Sequence, residues 1–471
     1  MSRKFLVLSA LALGLIVPAS AKVYTRDEAV QTAMENSSDI KSAEEALITA
    51  SSQVESGYGN AYPTIDLNAN VTRIFGLDDV KLGTPMKNAA SDQYNELDDK
   101  GNPKANAFDK NVLAPTVDGL INGMKSQGYR WQSSVGLTLT QVLYAAGKVG
   151  TAIDIAKAYK HLQEVNLENT KSKIRYEVDS LFNSMILLDS NITIKEEGIK
   201  QTQENLTIAT QKFQSGSGKE IDVIRSQLDL DAQLSDLENT KKQRILARNA
   251  LLNKMGLNWD ADVEFIGDLR NPDANLPYPD TAMASVKQRR RELVMLDARA
   301  LIKEKNIEIE EGGYKPTVAL VGGLKYANNK NKITEWDAPK WDKLNKYVAF
   351  SVTMNLFKGM QTREAVVQAK SSLRSTQIEK ENAERGFRMQ IETCASTLEN
   401  AQNQIEIAKR RVDLAKRGYD ISEAAYQIGQ ETQINLLDAN QKLREAKLGY
   451  MKAVLDWNNA YNALLNATGE Y

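Results

Sequence analysis

The chain has 471 residues, with 60 Lys and Arg against 61 Asp and Glu and a formal net charge of −1, which is length enough for two or three ordinary domains. Its charges are mixed rather than gathered in a basic run, which argues against nucleic-acid binding. One cysteine, Cys394, rules out an intrachain disulfide, and one histidine, His161, gives little basis for histidine-based metal or acid–base chemistry.

The first 21 residues read as a secretory signal peptide: Arg3 and Lys4 make a basic start, Phe5 to Val17 is apolar, and Ala19-Ser20-Ala21 is a small-residue cleavage site. The mature chain is expected to begin at Lys22. Cys394 lies too far from this site for lipidation at a mature N-terminal cysteine. No later stretch approaches ~18 uncharged apolar residues, so no helical membrane span is expected. An exported chain of that kind is periplasmic, secreted, or held in an outer membrane as a β-barrel.

Thr25 to Ser56 is expected to form a helix. Thr25 is an N-cap candidate with Glu28 three positions on, and Ala29, Ala33, Ile40, Ala43, Leu47, Ala50 and Val54 recur at helical spacing. Gly57, Gly59 and Pro63 should stop it. The period then switches to two: Ile65, Leu67, Ala69 and Val71 share one face, with polar residues on the other. The same alternation returns at Val135, Leu137 and Leu139, at Val318, Leu320, Leu324 and Tyr326, and at Val348, Phe350, Val352, Met354 and Leu356. Each run covers roughly 9–12 residues, the length of a tilted strand that crosses a bilayer. Tyr129, Trp131, Tyr144, Tyr347 and Phe357 lie near strand ends, where aromatic girdles belong. Four isolated strands between very long helices do not make a soluble sandwich. The segment Gly76 to Gly128, between the first two strands, is rich in Asp, Asn, Gly and Lys and reads as an exposed loop, about forty residues longer than its counterpart from Asn328 to Lys346 with Trp336 and Trp341. Asp98 and Asp99 lack the spacing of a calcium loop.

A helix of 66 residues is expected from Lys148 to Phe213, roughly 100 Å at 1.5 Å per residue. Ile174, Val178, Leu181, Met185, Leu188, Ile192, Ile199, Leu206 and Phe213 fall on a 4-3 heptad pattern, with weaker members at Lys195, Thr202 and Ala209. Phe213-Gln214-Ser215-Gly216-Ser217-Gly218 breaks it, and Ile221, Ile224, Leu228, Leu234, Leu237, Ile245 and Leu252 continue a return helix. Asp260 to Asp280, with three prolines, reads as a linker, and Thr281 to Glu311 repeats the opening helix. Adding 213 to each number then regenerates the long hairpin: Phe213 becomes Tyr426, Gly216 becomes Gly429, and Asn249-Ala250-Leu251-Leu252-Asn253 becomes Asn462-Ala463-Leu464-Leu465-Asn466. The second seam, from Phe387 through Ile391, Cys394, Leu398 and Ile405 to Tyr419 and Tyr426, keeps the register, so Cys394 is expected to be a small packing residue. The chain therefore reads as a signal peptide over 1–21, a first structural repeat over 22–257, a linker over 258–280 and a second repeat over 281–471.

This duplicated order of short helix, strand, loop, strand, long helix, glycine break and long helix resembles the TolC-like outer membrane channel-tunnel family of Gram-negative bacteria, over essentially the whole mature chain. The breaks Phe213-Gln-Ser-Gly216 with Ile221-Asp222-Val223, and Tyr426-Gln-Ile-Gly429 with Ile434-Asn435-Leu436-Leu437-Asp438, carry the likeness. The resemblance implies an α+β membrane protein. It would be a homotrimer whose protomers give four strands each to one twelve-stranded transmembrane β-barrel, continued by a periplasmic α-helical coiled-coil barrel. The implied function is a passive exit duct of a tripartite efflux or type I secretion system, set in outer membrane lipid. A periplasmic adaptor would dock it at the helical tips and an inner-membrane pump would drive it. Phe213, Gly216, Tyr426 and Gly429 then belong to the tips, and Asp222, Arg225, Glu431, Asn435 and Asp438 to the periplasmic entrance. The family often carries two acidic residues three apart at the second site. Here the first is Asn435 and only Asp438 is acidic, while a basic residue that helps hold the entrance shut in some relatives is matched by Glu431. Tyr426 either joins Asp222 in a hydrogen bond that closes the entrance or finishes the heptad seam.

Without the resemblance, two or four chains could close the barrel equally well, since four strands leave two edges that lipid does not tolerate. The alternative from another class is an exported soluble coiled-coil scaffold or adhesin without channel activity. No nucleophile–base pair, metal-ligand cluster or Walker loop stands out, so no catalytic residue, cofactor or metal is expected.

Overall fold

The structure, a computed structural model, describes residues 22–75, 130–272, 276–330, 332, 334 and 340–471. The expected signal peptide, the whole Gly76–Gly128 loop with Asp98 and Asp99, Tyr129 and Trp336 lie outside the described residues. In chain order the elements are β1 (Lys22–Tyr24), α1 (Arg26–Asn36), α2 (Ser38–Gly59), β2 (Thr64–Arg73), β3 (Trp131–Ala145), α3 (Lys148–Gln214) and α4 (Glu220–Lys254). They continue as β4 (Val263–Phe265), α5 (Met283–Arg289), α6 (Arg291–Glu311), β5 (Thr317–Lys330), β6 (Asn345–Thr353), α7 (Gln361–Gln427) and α8 (Gln433–Thr468).

The described residues of 55–154 and 305–368 make one compact unit. Its antiparallel sheet has the order β2-β3-β5-β6. The register stacks the apolar positions: Ile65 faces Leu139, Leu139 faces Gly322, and Gly322 faces Val348, with Leu67, Leu137 and Leu324 in the next row. Side chains alternate between faces along a strand, so these residues share one face. That face is bare in the protomer, with Ile65 69% and Val348 78% exposed. The other face carries Asp66, Asn68 and Thr138, and there the Tyr347 ring covers Gly323, where an added Cβ would come within 2.5 Å of it. β2 and β6 each pair on one side only, so both outer edges are open among the described residues. Three details differ from expectation. β3 and β5 have 15 and 14 residues, longer than the alternation implied. A bulge between Val142 and Tyr144 resets the register of β3. β6 ends at Thr353, leaving Met354 and Leu356 beyond it, and the chain then turns through left-handed Gly359 and Met360 into α7.

The described residues up to Val54, with 155–304 and 369–471, make the second unit. Ile174, Val178, Phe182 and Met185 of α3 pack with Leu251 and Leu252 of α4 and its C-cap Met255, with Ala29, Ala33 and Ile40, and with Val263 and Phe265 of β4. A second core joins Ile391, Leu398 and Ile405 of α7 to Val286, Trp457, Tyr461 and Leu464. The Thr25 capping box forms as expected. The opening helix does not run through: Ser37, at ψ 130°, splits it into α1 and α2, and Arg290, at ψ 105°, splits its repeat into α5 and α6. Each break lies close against the end of a long helix. At the ends of α4 and α8, Gly256 and Gly469 have φ of +69° and +78°; a Cβ on Gly256 would strike the backbone of Asn36, and one on Gly469 would come to 3.1 Å from that of Arg289, just before each break. The linker also holds more structure than expected, since β4 pairs in parallel with β1 and buries Val263 and Phe265. Cys394 is half-buried against the second core, and burial raises its thiol pKa, as suits a packing residue.

Candidate entrance at the helical hairpin tips

Each hairpin tip is built by a glycine that ends one long helix. At the first, the Gly216 N–H donates to Phe213 O at 3.0 Å, and the N–H groups of Ser217 and Gly218 donate to Lys212 O at 2.9 and 2.8 Å. At the second, Gly429 N–H donates to Tyr426 O at 3.1 Å and Gln430 N–H to Ala425 O at 2.9 Å. Gly216 and Gly429 have φ of +79° and +82°, and nothing lies within 4 Å of where a Cβ would be, so conformation alone asks for glycine here. The first tip is tightened by the Ser215 and Ser217 hydroxyls, which donate to Lys212 O.

The return helices start differently. α4 has no side-chain cap at Lys219, but Glu220 and Asp222 in its first turn oppose the positive end of the helix dipole. α8 is capped by Thr432, whose hydroxyl accepts from Asn435 N–H. Glu431 accepts from the Asn435 side-chain amide and, at 3.2 Å, from Thr432 N–H. Glu431 and Asn435 are thus paired with each other in a local cap.

Tyr426 is 6% exposed, packed with Tyr419, Leu436 and Leu443, whereas its counterpart Phe213 is 44% exposed. Burial raises the Tyr426 hydroxyl pKa, with a smaller contribution from the charge of Asp222. Asp222 pairs with Arg225 at 4.0 Å, and Asp438 pairs with Lys442 at 2.6 Å on an exposed surface. The expected residues therefore gather at two sites. Asp222, Arg225 and Tyr426 come near one another, while Glu431 lies just before the α8 cap and Asn435 and Asp438 lie in the first turns of α8.

Two contacts were not foreseen from the sequence. The Lys212 ammonium donates to Tyr426 O and sits 3.9 Å from the centre of the Tyr426 ring. Buried Gln433 donates to buried Ser226. Lys212 carried no signal, being one lysine among many; Ser226 and Gln433 are polar residues at core spacing, which a search for apolar repeats passes over.

A family model described as outer membrane efflux protein matches residues 29–257 and 283–470. The chain belongs to that family. Its two matched segments correspond to an internal duplication, and they replace the scaffold or adhesin alternative with an outer membrane efflux channel. Among relatives of known name, the outer membrane efflux protein BepC of Brucella suis biovar 1 (strain 1330) is 21% identical over 376 residues, covering 77% of this chain and 78% of BepC. The fold is similar to that of VceC from Vibrio cholerae, with a TM-score of 0.70 at 13% identity over 94% of this chain and 96% of VceC. It is also similar to the outer membrane channel CmeC of Campylobacter jejuni, with a TM-score of 0.72 at 15% identity over 94% and 85% of the two chains. The bare apolar face of the sheet suits an outer membrane location.

Proposed function

We propose that this efflux protein is the passive exit duct of a tripartite efflux or type I secretion system, in which three copies close one twelve-stranded barrel. The sheet carries the proposal: it has two open edges and a bare apolar face. An open edge in lipid leaves backbone N–H and C=O groups without water or partner, so the β2 edge of one copy must meet the β6 edge of the next. Three copies of four strands give an even-numbered barrel, in keeping with single-chain outer membrane barrels.

The tips at Phe213, Gly216, Tyr426 and Gly429 are the proposed docking surface for a periplasmic adaptor, which links the duct to an inner-membrane pump. Asp222, Arg225, Glu431, Asn435 and Asp438 belong to the periplasmic entrance, where Asp438, the acidic member of the Asn435–Asp438 pair, forms a ring. Repeat 1 over 22–257 and repeat 2 over 281–471, joined by 258–280, each supply half of the strands and one tip. Channel function needs no catalytic group or cofactor. The test is cross-linking between cysteines placed on β2 and β6, in a Cys394→Ser background. Links that join chains into a closed ladder of three support the duct, and a chain that links only to itself counts against it.

A further inference from the structure

Between the linker and the second long hairpin lies a cavity of about 560 Å³. Trp457 and Tyr461 of α8 line it and are 5% and 7% exposed. Their rings stack with centroids 5.7 Å apart, and the Arg270 guanidinium lies over the Tyr461 ring. The Tyr461 hydroxyl donates to Pro277 O at 3.0 Å, which holds the linker in place beside Tyr278. Tyr278 also lines the cavity, and it is 64% exposed. From α7, exposed Ser396, Glu399 and Asn403 recur three and four residues apart and so share one helix face, with half-buried Gln402 beside them. The duplication shows how the second copy departs from the first here. Subtracting 213 from Trp457 and Gln402 gives Arg244 and Asp189, which form an ion pair with each other in repeat 1, whereas Trp457 and Gln402 both line the cavity in repeat 2.

The volume suits a small ligand, and the lining selects its class. A flat aromatic cation needs open ring faces around it. Here Trp457 and Arg270 already cover Tyr461, and the positive charge of Arg270 opposes a second cation. Tyr278 remains as one exposed ring. A single open ring suits the C–H face of a pyranose, which packs on an aromatic surface through apolar contact and weak C–H bonds. Ser396, Glu399 and Asn403 present a hydroxyl, a carboxylate and an amide along roughly 10 Å of helix, about the length of two linked hexoses. Sugar hydroxyls both donate and accept, as the Gln402 and Asn403 amides do. An acetamido group can pair with such an amide through both its N–H and its C=O.

We propose that this cavity binds a β-linked N-acetylhexosamine glycan, with Tyr278 under a sugar ring, Glu399 accepting from its hydroxyls, and Gln402 and Asn403 holding its acetamido groups. Such a glycan has two sources, a soluble oligosaccharide or the strands of the cell wall, which lie in the same periplasm as the helices. The test is binding of chitotetraose to the full mature protein in detergent, measured by isothermal titration calorimetry. Tyr278→Ala and Asn403→Ala should each weaken binding roughly tenfold, by loss of the stacking surface and of a hydrogen-bonding amide. Tyr278→Phe keeps the ring face and should bind as the unmodified protein does. Cellotetraose has the same linkage without acetamido groups, and it should bind more weakly by a similar factor.

Failure of the unmodified protein to bind chitotetraose overturns the proposal, as does binding that Tyr278→Ala and Asn403→Ala both leave unchanged. Equal affinity for cellotetraose overturns the assignment to acetamido sugars. Tetraphenylphosphonium that binds more tightly than chitotetraose, and is lost in Glu399→Gln, would make this a cation site and overturns it too. Cosedimentation with purified cell-wall sacculi separates the two sources. Sacculi that retain the unmodified protein and release Tyr278→Ala identify the wall strand as the ligand, and a chitotetraose-binding protein that stays in solution identifies the soluble oligosaccharide.

Discussion

Lys212 and Tyr426 tie the two hairpin tips together at their turns. Lys212 O accepts the N–H groups that close the first turn, and the Lys212 ammonium reaches the main-chain oxygen of Tyr426, which also accepts the N–H of Gly429 in the second turn. The same ammonium lies over the Tyr426 ring. Position 431 holds a glutamate engaged in its own helix cap, and the cation at the second tip comes from hairpin 1.

Replacing Lys212 with Met should loosen this tie. A charged hydrogen bond and a partly exposed cation–π contact together make a net contribution of about 1–2 kcal/mol, so the closed-to-open ratio should fall roughly five- to thirtyfold. Lys212→Arg should keep most of the effect. Opening frequency in planar bilayers checks this, and equal frequencies in all three proteins would show that the contact does not hold the entrance.

Gly429→Val isolates backbone conformation from space, because no neighbour opposes a side chain there. A β-branched residue held at positive φ costs about 1–3 kcal/mol. The tip should fray or rearrange, and export should drop while the protein still inserts in the membrane. Unchanged export with normal insertion would remove this tip from docking and gating.

Asp438 is exposed and, among the described residues, is paired with Lys442 on its own helix. If three copies place it around the entrance, Asp438→Asn should lower the preference of the pore for cations, measured as a shift in reversal potential under a salt gradient. A reversal potential that does not move makes Asp438 a helix-surface acid.

Burial, aided by Glu423, pushes the Tyr419 hydroxyl up from 10 to about 12. The folded chain therefore holds this proton more tightly than the unfolded chain. The resulting stabilisation is complete below pH 10 and is lost as the pH rises from 10 to about 12. Thermal unfolding across that window should steepen in its pH dependence, and Tyr419→Phe should flatten it. An identical pH dependence in the variant would show that Tyr419 does not contribute.

What could be read from sequence was what local spacing encodes. The seam from Ile391 to Tyr426 is buried or half-buried throughout, and the strand alternation places Ile65, Leu137 and Phe350 on one face, because helix and strand periods are written residue by residue. Long-range pairing was not legible. Three-residue strands such as β1 and β4 carry no period, and the breaks at Ser37 and Arg290 lie against Gly256 and Gly469, far along the chain. At the entrance the glycines were visible because φ demands them, whereas Lys212 acts across hairpins. The first-copy seam shows the subtler case. Its weak heptad members Thr202 and Ala209 are buried, while Leu206 is half-buried, so small and polar residues carry part of the packing there.

The most direct test of the central claim is the mass of the detergent-extracted complex by native mass spectrometry. A duct that closes its barrel from open-edged four-stranded sheets predicts a species of three mature chains that resists dilution. A single chain, with its β2 and β6 edges left unpaired, would contradict it.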